Sequence, residues 1–356
     1  MGAQALKYSV GIDVSKPELE VCFKELLWAQ STKVKGSRKF PNTPKGFQLL
    51  DEWAGKRCGG NAAPLTFVME ATGVYHERLA HYLHGQGRQV SVVLPSQSKD
   101  YIRSLGYKSK TDRIDGKGLA QMGAERKLRP WAPPTKLVLD IRSLCRHKDM
   151  LEKTKTRFSN RLHAHLHSAG HNPLVVKLLG DQIKCLGEQA EEVGAAIEGL
   201  LAQQSDFGDR ARKVAGSIKG LGVATVASVA AEANGFELFR SLGQATSYAG
   251  YDVAENQSGK RSGRTKISKK GNSHIRKALY FPALNVVRYE VKIFSDLYAR
   301  VYERTGVKMK GYVAVQRKLL CMIYTLWKKN EAFDPDHQQG QGQKKGQGQA
   351  RPLGPI

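Results

Sequence analysis

Four acidic residues stand where apolar runs end or where a helix would begin. They are Asp13 in Tyr8-Ser-Val-Gly-Ile-Asp-Val14, Glu70 closing Leu65-Thr-Phe-Val-Met-Glu70, and the pair Asp112 and Asp115 in Lys110-Thr-Asp-Arg-Ile-Asp-Gly-Lys117. Carboxylates brought together away from water are costly unless a cation or a shared proton compensates them. Hard divalent cations such as Mg²⁺ take oxygen ligands, and two of them roughly 4 Å apart stabilise the attacking and leaving oxygens of an in-line displacement at phosphorus. The charge balance points to the same substrate class. Lys and Arg number 57 against 32 Asp and Glu, a net charge of +25 in 356 residues. Such an excess suits a polyanion, because cations that neutralise phosphates release counterions. The pattern therefore predicts phosphodiester chemistry with two Mg²⁺ ions held by Asp13, Glu70, Asp112 and Asp115. Taken singly each acid is a weaker signal. Asp112 could cap a helix, Glu70 could end an exposed strand, and two acids three apart among basic residues commonly mark a solvated helix face.

The elements that must position these acids are legible in the hydrophobic spacing. Residues 8–14, 19–23, 38–40, 65–69 and 89–94 are short β-type runs punctuated by Pro17, Pro41 and Pro44. Residues 75–84 have helical spacing and stop at Gly85. Three strands, then strand–helix–strand, then a helix is the order of an RNase H-like sheet. A helix over 112–115 would put both aspartates on one face, where Lys110, Arg113 and Lys117 would meet the surrounding phosphates.

Pro130-Trp-Ala-Pro-Pro134 reads as a linker. Beyond it Leu137, Ile141, Leu144, Leu151, Phe158 and Leu162, and then Leu186, Ala190, Val193, Ile197 and Leu200, recur in steps of three and four. This spacing predicts two long helices in an antiparallel hairpin or coiled coil, with Lys148 and Lys155 in inner slots. Residues 214–330 read as mainly helical. They open on Ile218-Lys-Gly-Leu-Gly222, either a phosphate-binding helix-hairpin-helix turn or a tight turn without a ligand. Residues 252–272 read as a basic loop, and the Gln/Gly-rich stretch from His337 as low complexity. The expected organisation is an α/β RNase H-like domain over 1–130, a helical coiled-coil or linker region over 131–210, a mainly α-helical C-terminal domain over 211–332 and a disordered tail over 333–356.

Several classes are excluded. No apolar run approaches the ~20 residues that span a bilayer, so no membrane partner is expected. Five scattered cysteines form neither a CxxC metal pattern nor a disulfide framework. With no hydrophobic leader at the start and no disulfide framework, a cytoplasmic protein is expected.

Three motifs carry a specific resemblance. Gly11-Ile-Asp-Val-Ser-Lys16, Glu70-Ala-Thr-Gly-Val-Tyr75 and Lys110-Thr-Asp-Arg-Ile-Asp115 resemble, in order and spacing, the DEDD motifs of the IS-one-ten family of insertion-sequence transposases. Tyr248-Ala-Gly-Tyr251, Gln257-Ser-Gly259 and Ile267-Ser-Lys-Lys-Gly-Asn272 followed by Arg276 resemble that family's second domain. The resemblance spans residues 8–330. It implies a RuvC-like first domain in a DNA recombinase that takes donor and target DNA, is directed by a non-coding bridge RNA, and assembles as dimers pairing into a tetramer. It also implies that Ser258 attacks DNA to form a covalent phosphoserine link, completed by the metal-bearing domain of another protomer. Without the resemblance Ser258 is an ordinary turn serine with no evident local base. Ser262, in a second Ser-Gly pair, is its local competitor. The cations Lys260, Arg261, Arg264, Lys269 and Lys270, with Asn272 and Arg276 following, would place this loop on a DNA backbone. Tyr248, Tyr251 and Tyr280 could stack on bases or pack in the core. The alternative is a Holliday-junction-resolvase-like nuclease that uses the same carboxylates with water and leaves Ser258 structural.

Overall fold

The computed structural model describes residues 5–59, 62–71, 73–107, 111–203, 205–237, 239, 241–254, 257–258, 261–262 and 266–334, the side chains at 96, 254, 257–258 and 261–262 aside. The chain divides into two compact units, Met1–Pro133 and Pro134–Ile356. The division falls inside the proline run that reads as a linker.

The first unit is built on five strands: β1 (Ala5–Val14), β2 (Glu18–Leu27), β3 (Thr32–Pro41), β4 (Leu65–Glu70) and β5 (Gln89–Val93). Helices α1 (Pro44–Cys58), α2 (Glu77–Gly85), α3 (Pro95–Ser104) and α4 (Asp112–Glu125) cover it. The strand order is β3-β2-β1-β4-β5. Strands β1, β2 and β3 run antiparallel, and β4 and β5 join β1 in parallel, the arrangement of an RNase H-like sheet. Alternation along the strands separates two faces. Val10, Ile12, Leu19, Val21, Phe23, Phe67 and Met69 share one core with Phe47, Leu50 and Trp53 of α1 and Leu79 and Leu83 of α2. On the opposite face Val68 and Val93 pack with Tyr101 of α3 and Leu119 and Met122 of α4. Strand β3 is longer than its apolar signal at 38–40. Thr32, Lys33 and Lys35 bring no alternation, but the backbone pairing with β2 carries the strand to the sheet edge.

The second unit is helical. Its two longest helices, α5 (Lys136–Leu166) and α6 (Pro173–Ala202), each begin at a side-chain cap, Thr135 and Asn172. A Cβ on Gly194 would lie 2.8 Å from Lys148 Nζ, and one on Gly187 would lie 3.7 Å from Lys155 Nζ. The partner number falls as the other rises, so the helices run antiparallel, with the two inner lysines lying over glycines. The hairpin is not a separate body. Val138 and Ile141 of α5 and Ile197 and Leu201 of α6 belong to one core with Val214, Val226, Phe236, Tyr251 and Leu319.

That core gathers α7 (Asp206–Ser217), α8 (Val223–Glu232), α9 (Leu242–Tyr248), α10 (Ser273–Ala278), α11 (Tyr280–Arg288), α12 (Lys292–Thr305) and α13 (Lys308–Lys329). The glycine turn between α7 and α8 needs Gly220, whose φ is +95° and whose open side faces Tyr289 and Asn285. Between α9 and α10 the stretch read as a loop contains two short ribbons. Strand β6 (Val253–Ala254) pairs with β9 (Lys266–Ile267), and β7 (Gln257–Ser258) with β8 (Arg261–Ser262). Among the described residues no helix is long and apolar enough to cross a membrane.

Candidate active site

Asp13 and Glu70 reach one face of the sheet because their strands are neighbours in parallel register. The pair Ile12–Met69 faces the α1/α2 core, so the next residue on each strand points to the other side. The first turn of α4 meets them there. Thr111 caps that helix, its Oγ1 accepting from the Ile114 N–H at 3.3 Å. Asp112 and Asp115 therefore fall in the first turn, where the helix dipole favours negative charge. The cap is Thr111, and Asp112 is left to the site.

Close helix–sheet contact sets the approach. A methyl on Gly11 would overlap the Ala120 N–H and the Gly116 carbonyl, and one on Gly123 would overlap Ser9 and lie 2.5 Å from Val68 Cγ2. Glycines on both surfaces thus let α4 lie directly on β1. On the same face Lys24 donates to Gln121, and Tyr101 donates to Glu125 Oε2 at 2.5 Å, which ties α4 to β2 and α3.

The electrostatics record the convergence. The Asp13 carboxyl is pushed up from 3.8 to about 6, first by burial and then by the charges of Asp112, Asp115 and Glu70. A hydrogen bond from the Val14 backbone offsets this only in part. All four predicted carboxylates thus act on one point. They are not drawn into a closed cage: among the described residues no three His, Cys, Asp or Glu side chains form a ready metal-ligand set. Four hard oxygen donors in mutual repulsion are nevertheless the donor set a divalent cation neutralises.

Two further residues escaped the sequence reading. Ser98, fully buried on α3, donates from Oγ to Glu70 Oε2 at 2.5 Å. Glu20 stands directly opposite Asp13 on β2, with Lys39 Nζ at 3.6 Å. It shares a cleft of about 470 Å³ with Ser37, Arg38, Lys39, Thr111, Asp112 and Arg113. The register that brings Glu20 opposite Asp13 follows from the tight Ser15–Glu18 turn, where the Ser15 N–H donates to the Glu18 carbonyl at 3.0 Å. Arg113 is exposed beside the acids and Lys117 half-buried on the same helix. Lys110 lies outside the described residues.

In the second unit Ser258 ends β7 opposite Arg261 of β8, and Gln257 pairs with Ser262. The Ser258 hydroxyl and the Arg261 guanidinium lie outside the described part of the structure, as do Lys260 and Arg264. Lys269 and Lys270 are exposed. Asn272 and Arg276 have internal work. Asn272 caps α10 through Oδ1, and its Nδ2 donates to Glu232 Oε2 at 2.7 Å. Arg276 Nη1 donates to the Ala249 carbonyl at 2.7 Å. A phosphate would compete with these bonds, so the structure gives both residues a place in the loop's root. Tyr251 is buried, its hydroxyl donating to Gln316 Oε1 at 2.9 Å, and Tyr248 donates to the Glu232 carbonyl at 3.1 Å. Tyr280 is the exposed one of the three.

Comparison with known proteins returns two matches, the first of which runs past the unit boundary through α5. Residues 10–170 match a DEDD family model of the IS110 group described as "Transposase", and residues 212–299 match "Transposase IS116/IS110/IS902 family". The pilin gene-inverting protein of Moraxella bovis is 28% identical over 334 residues, covering 92% of this chain and 98% of that protein. The transposase for insertion sequence element IS1111A of Coxiella burnetii is 23% identical, covering 91% of this chain and 90% of that protein. Among solved structures, Thermus thermophilus RuvC in complex with Holliday junction substrate overlaps 35% of this chain and 99% of its own, at 11% identity and a TM-score of 0.27. The RNase H-like assignment rests on the strand order and directions given above.

Proposed function

From the premise that this chain belongs to the IS110 family of transposases, we propose that it cuts and rejoins DNA through a phosphoserine link at Ser258. The observation that carries the reading is the crowding at Asp13, whose carboxyl is raised to about 6 by burial and by the other three acids. In a chain of net charge +25, an acidic focus with a basic surround suits a phosphodiester. Asp13, Glu70, Asp112 and Asp115 would hold two Mg²⁺ ions. When bound, the ions would neutralise the phosphate under attack and lower the pKa of the attacking hydroxyl.

The remaining work falls to the chain's own groups. Ser98 orients Glu70 through its hydrogen bond. Arg113 and Lys117, with Lys110, hold flanking phosphates as charge-assisted donors. Lys260, Arg261, Arg264, Lys269 and Lys270 bring the loop to the DNA backbone. The Ser258 oxygen attacks phosphorus, its proton leaves to solvent and the 3′ or 5′ oxygen of the cut strand departs. Attack by that type of oxygen on the ester then joins the new strand and frees the serine. The bond energy is kept in the ester, so exchange needs no nucleotide hydrolysis. The name of the pilin gene-inverting relatives, 28% identical to this chain, supports rearrangement of DNA segments over simple degradation. Selection of donor and target by a non-coding RNA, and assembly as dimers pairing into a tetramer with the metal-bearing domain supplied in trans, rest on the family alone.

The test is a covalent-adduct assay with purified protein, its flanking RNA, Mg²⁺ and matching DNA. DNA-linked protein whose label maps to Ser258, lost in both Ser258→Ala and Asp112→Ala, supports the reading. Cut DNA without an adduct makes the enzyme a water-using nuclease of the Holliday-junction-resolvase type and removes Ser258 from the chemistry. An adduct that persists in Ser258→Ala and is lost in Ser262→Ala moves the role to Ser262.

A further inference from the structure

The loop that carries Ser258 is closed at its root by a clasp, and the clasp is bolted to the long hairpin by one buried carboxylate. Gly250, with φ at +74°, lies against Gly271, where any side chain would run into the Tyr248 carbonyl and the Gly250 N–H. Three backbone bonds close the root. The Asn272 N–H donates to the Tyr248 carbonyl at 2.7 Å, Lys269 to Gly250 at 3.1 Å and Ser268 to Asp252 at 2.7 Å. Asn272 then reaches Glu232 at the end of α8, and Glu232 is gripped from the other side by Arg146 of α5. Arg146 Nε and Nη2 donate to its two oxygens at 2.7 and 2.8 Å.

Neighbouring turns of α5 repeat the attachment. Arg142 donates through Nε and Nη2 to the Ala231 carbonyl at 3.0 and 2.7 Å, and Asp149 meets Lys277 of α10 at 2.9 Å. One face of the hairpin helix is therefore fastened to the end of α8, which holds Asn272 of the clasp, and to α10, which follows it. The Glu232 side chain is only 2% exposed. Burial opposes its charge, but the hydrogen bonds from Arg146 and Asn272 outweigh that and hold it below its ordinary range. A buried carboxylate with all its acceptors engaged fixes geometry more than it adds stability.

We propose that Arg146 and Glu232 are positioning residues for the nucleophile loop. Their two-pronged pair transmits the placement of the α5–α6 hairpin to the root from which Ser258 is presented, so that movement of the hairpin resets the loop. This rests on Ser258 being the nucleophile, and Glu232 itself is too buried to touch DNA.

The test uses the full chain, with hydrogen exchange read at the amides of Ser268, Lys269 and Asn272 and adduct formation read against DNA concentration. In Glu232→Gln and Arg146→Met the three clasp amides are expected to exchange roughly tenfold faster, while amides of the buried stretch 315–327 in α13 stay protected. The maximal rate of adduct formation falls by a similar roughly tenfold factor, with the DNA concentration for half-maximal rate unchanged. Arg146→Lys, which keeps the charge but not the paired donors, is expected to fold and to lie between. It decides the case if Glu232→Gln loses protection throughout. Wild-type protection at the clasp in a folded Glu232→Gln variant overturns the proposal, as does a loss of adduct traced wholly to weaker DNA binding. Absence of any adduct in the wild-type protein overturns the serine reading instead, and the exchange rates still report whether Glu232 secures the root.

Discussion

Half-buried Asp13 and buried Glu232 are acidic residues, one in each unit, and they respond in opposite directions. Burial pushes both carboxyls up. At Asp13 the neighbours are Asp112, Asp115 and Glu70, which push further. At Glu232 they are Arg146 and Asn272, which more than reverse the effect. The contrast teaches how a buried charge is to be read. A carboxylate that meets its cation within the chain is a structural fastening. One crowded by other carboxylates is a candidate site for a cation from outside the chain.

The contrast can be broken or sharpened by experiment. The largest effect is expected from Asp112→Ala, which removes a proposed cation ligand without disturbing the Thr111 cap. Strand cleavage should fall by about a thousandfold or more, measured with saturating Mg²⁺, and near-normal cleavage would break the four-carboxylate reading. Next comes Glu232→Gln, which leaves Arg146 facing a neutral partner. It should cost about 3 kcal/mol in urea unfolding at neutral pH. Because the folded Glu232 pKa is depressed below the ordinary 4.5, this stabilisation is fully present above 4.5. It is lost as pH falls through the folded value, so wild type and variant should converge in acid.

The third effect has the opposite sign. Asp13 is raised from 3.8 to about 6, so its contribution is most favourable below 3.8 and declines as pH rises through about 6. Asp13→Asn should therefore stabilise metal-free protein at pH 7.5. The displacement corresponds to about 3 kcal/mol before screening, and partial exposure reduces this to about 1 kcal/mol. The gain should vanish near pH 4, and thermal unfolding across that pH range checks both sign and window. The smallest effect is expected at Ser98→Ala, which removes one hydrogen bond from Glu70 and leaves the carboxylate in place. A severalfold loss of cleavage, about 1 kcal/mol, with an unchanged fold by circular dichroism would confirm orientation as its role.

How much of this was legible in the chain differs between the two sites. The carboxylate focus could be read because its members sit at the ends of β-type runs or at helix spacing, and local pattern largely decides what those positions do. Glu20 and Ser98 could not be read. Glu20 enters through the antiparallel register opposite Asp13, and Ser98 through the packing of α3 under β4. Strand β3 was seen only at its apolar end, because edge pairing rather than side-chain alternation extends it. In the second unit the basic stretch 252–272 reads as loop, since two-residue strands leave no periodicity. Asn272 and Arg276, read as phosphate contacts, also hold internal bonds that only the fold brings within reach.

By itself the sequence determined the chemistry available to this protein: its acids, its positive charge and most of its longer helices and strands, set by residue type and local spacing. Only the tertiary structure decided which charges meet. Glycine-to-backbone contact between β1 and α4 gathers four acids, and the fold of α5 against α8 gives Glu232 its arginine. The physical reason is that the free energy of a charge depends on what lies within a few ångströms of it, and for these residues that is chain from far away in sequence.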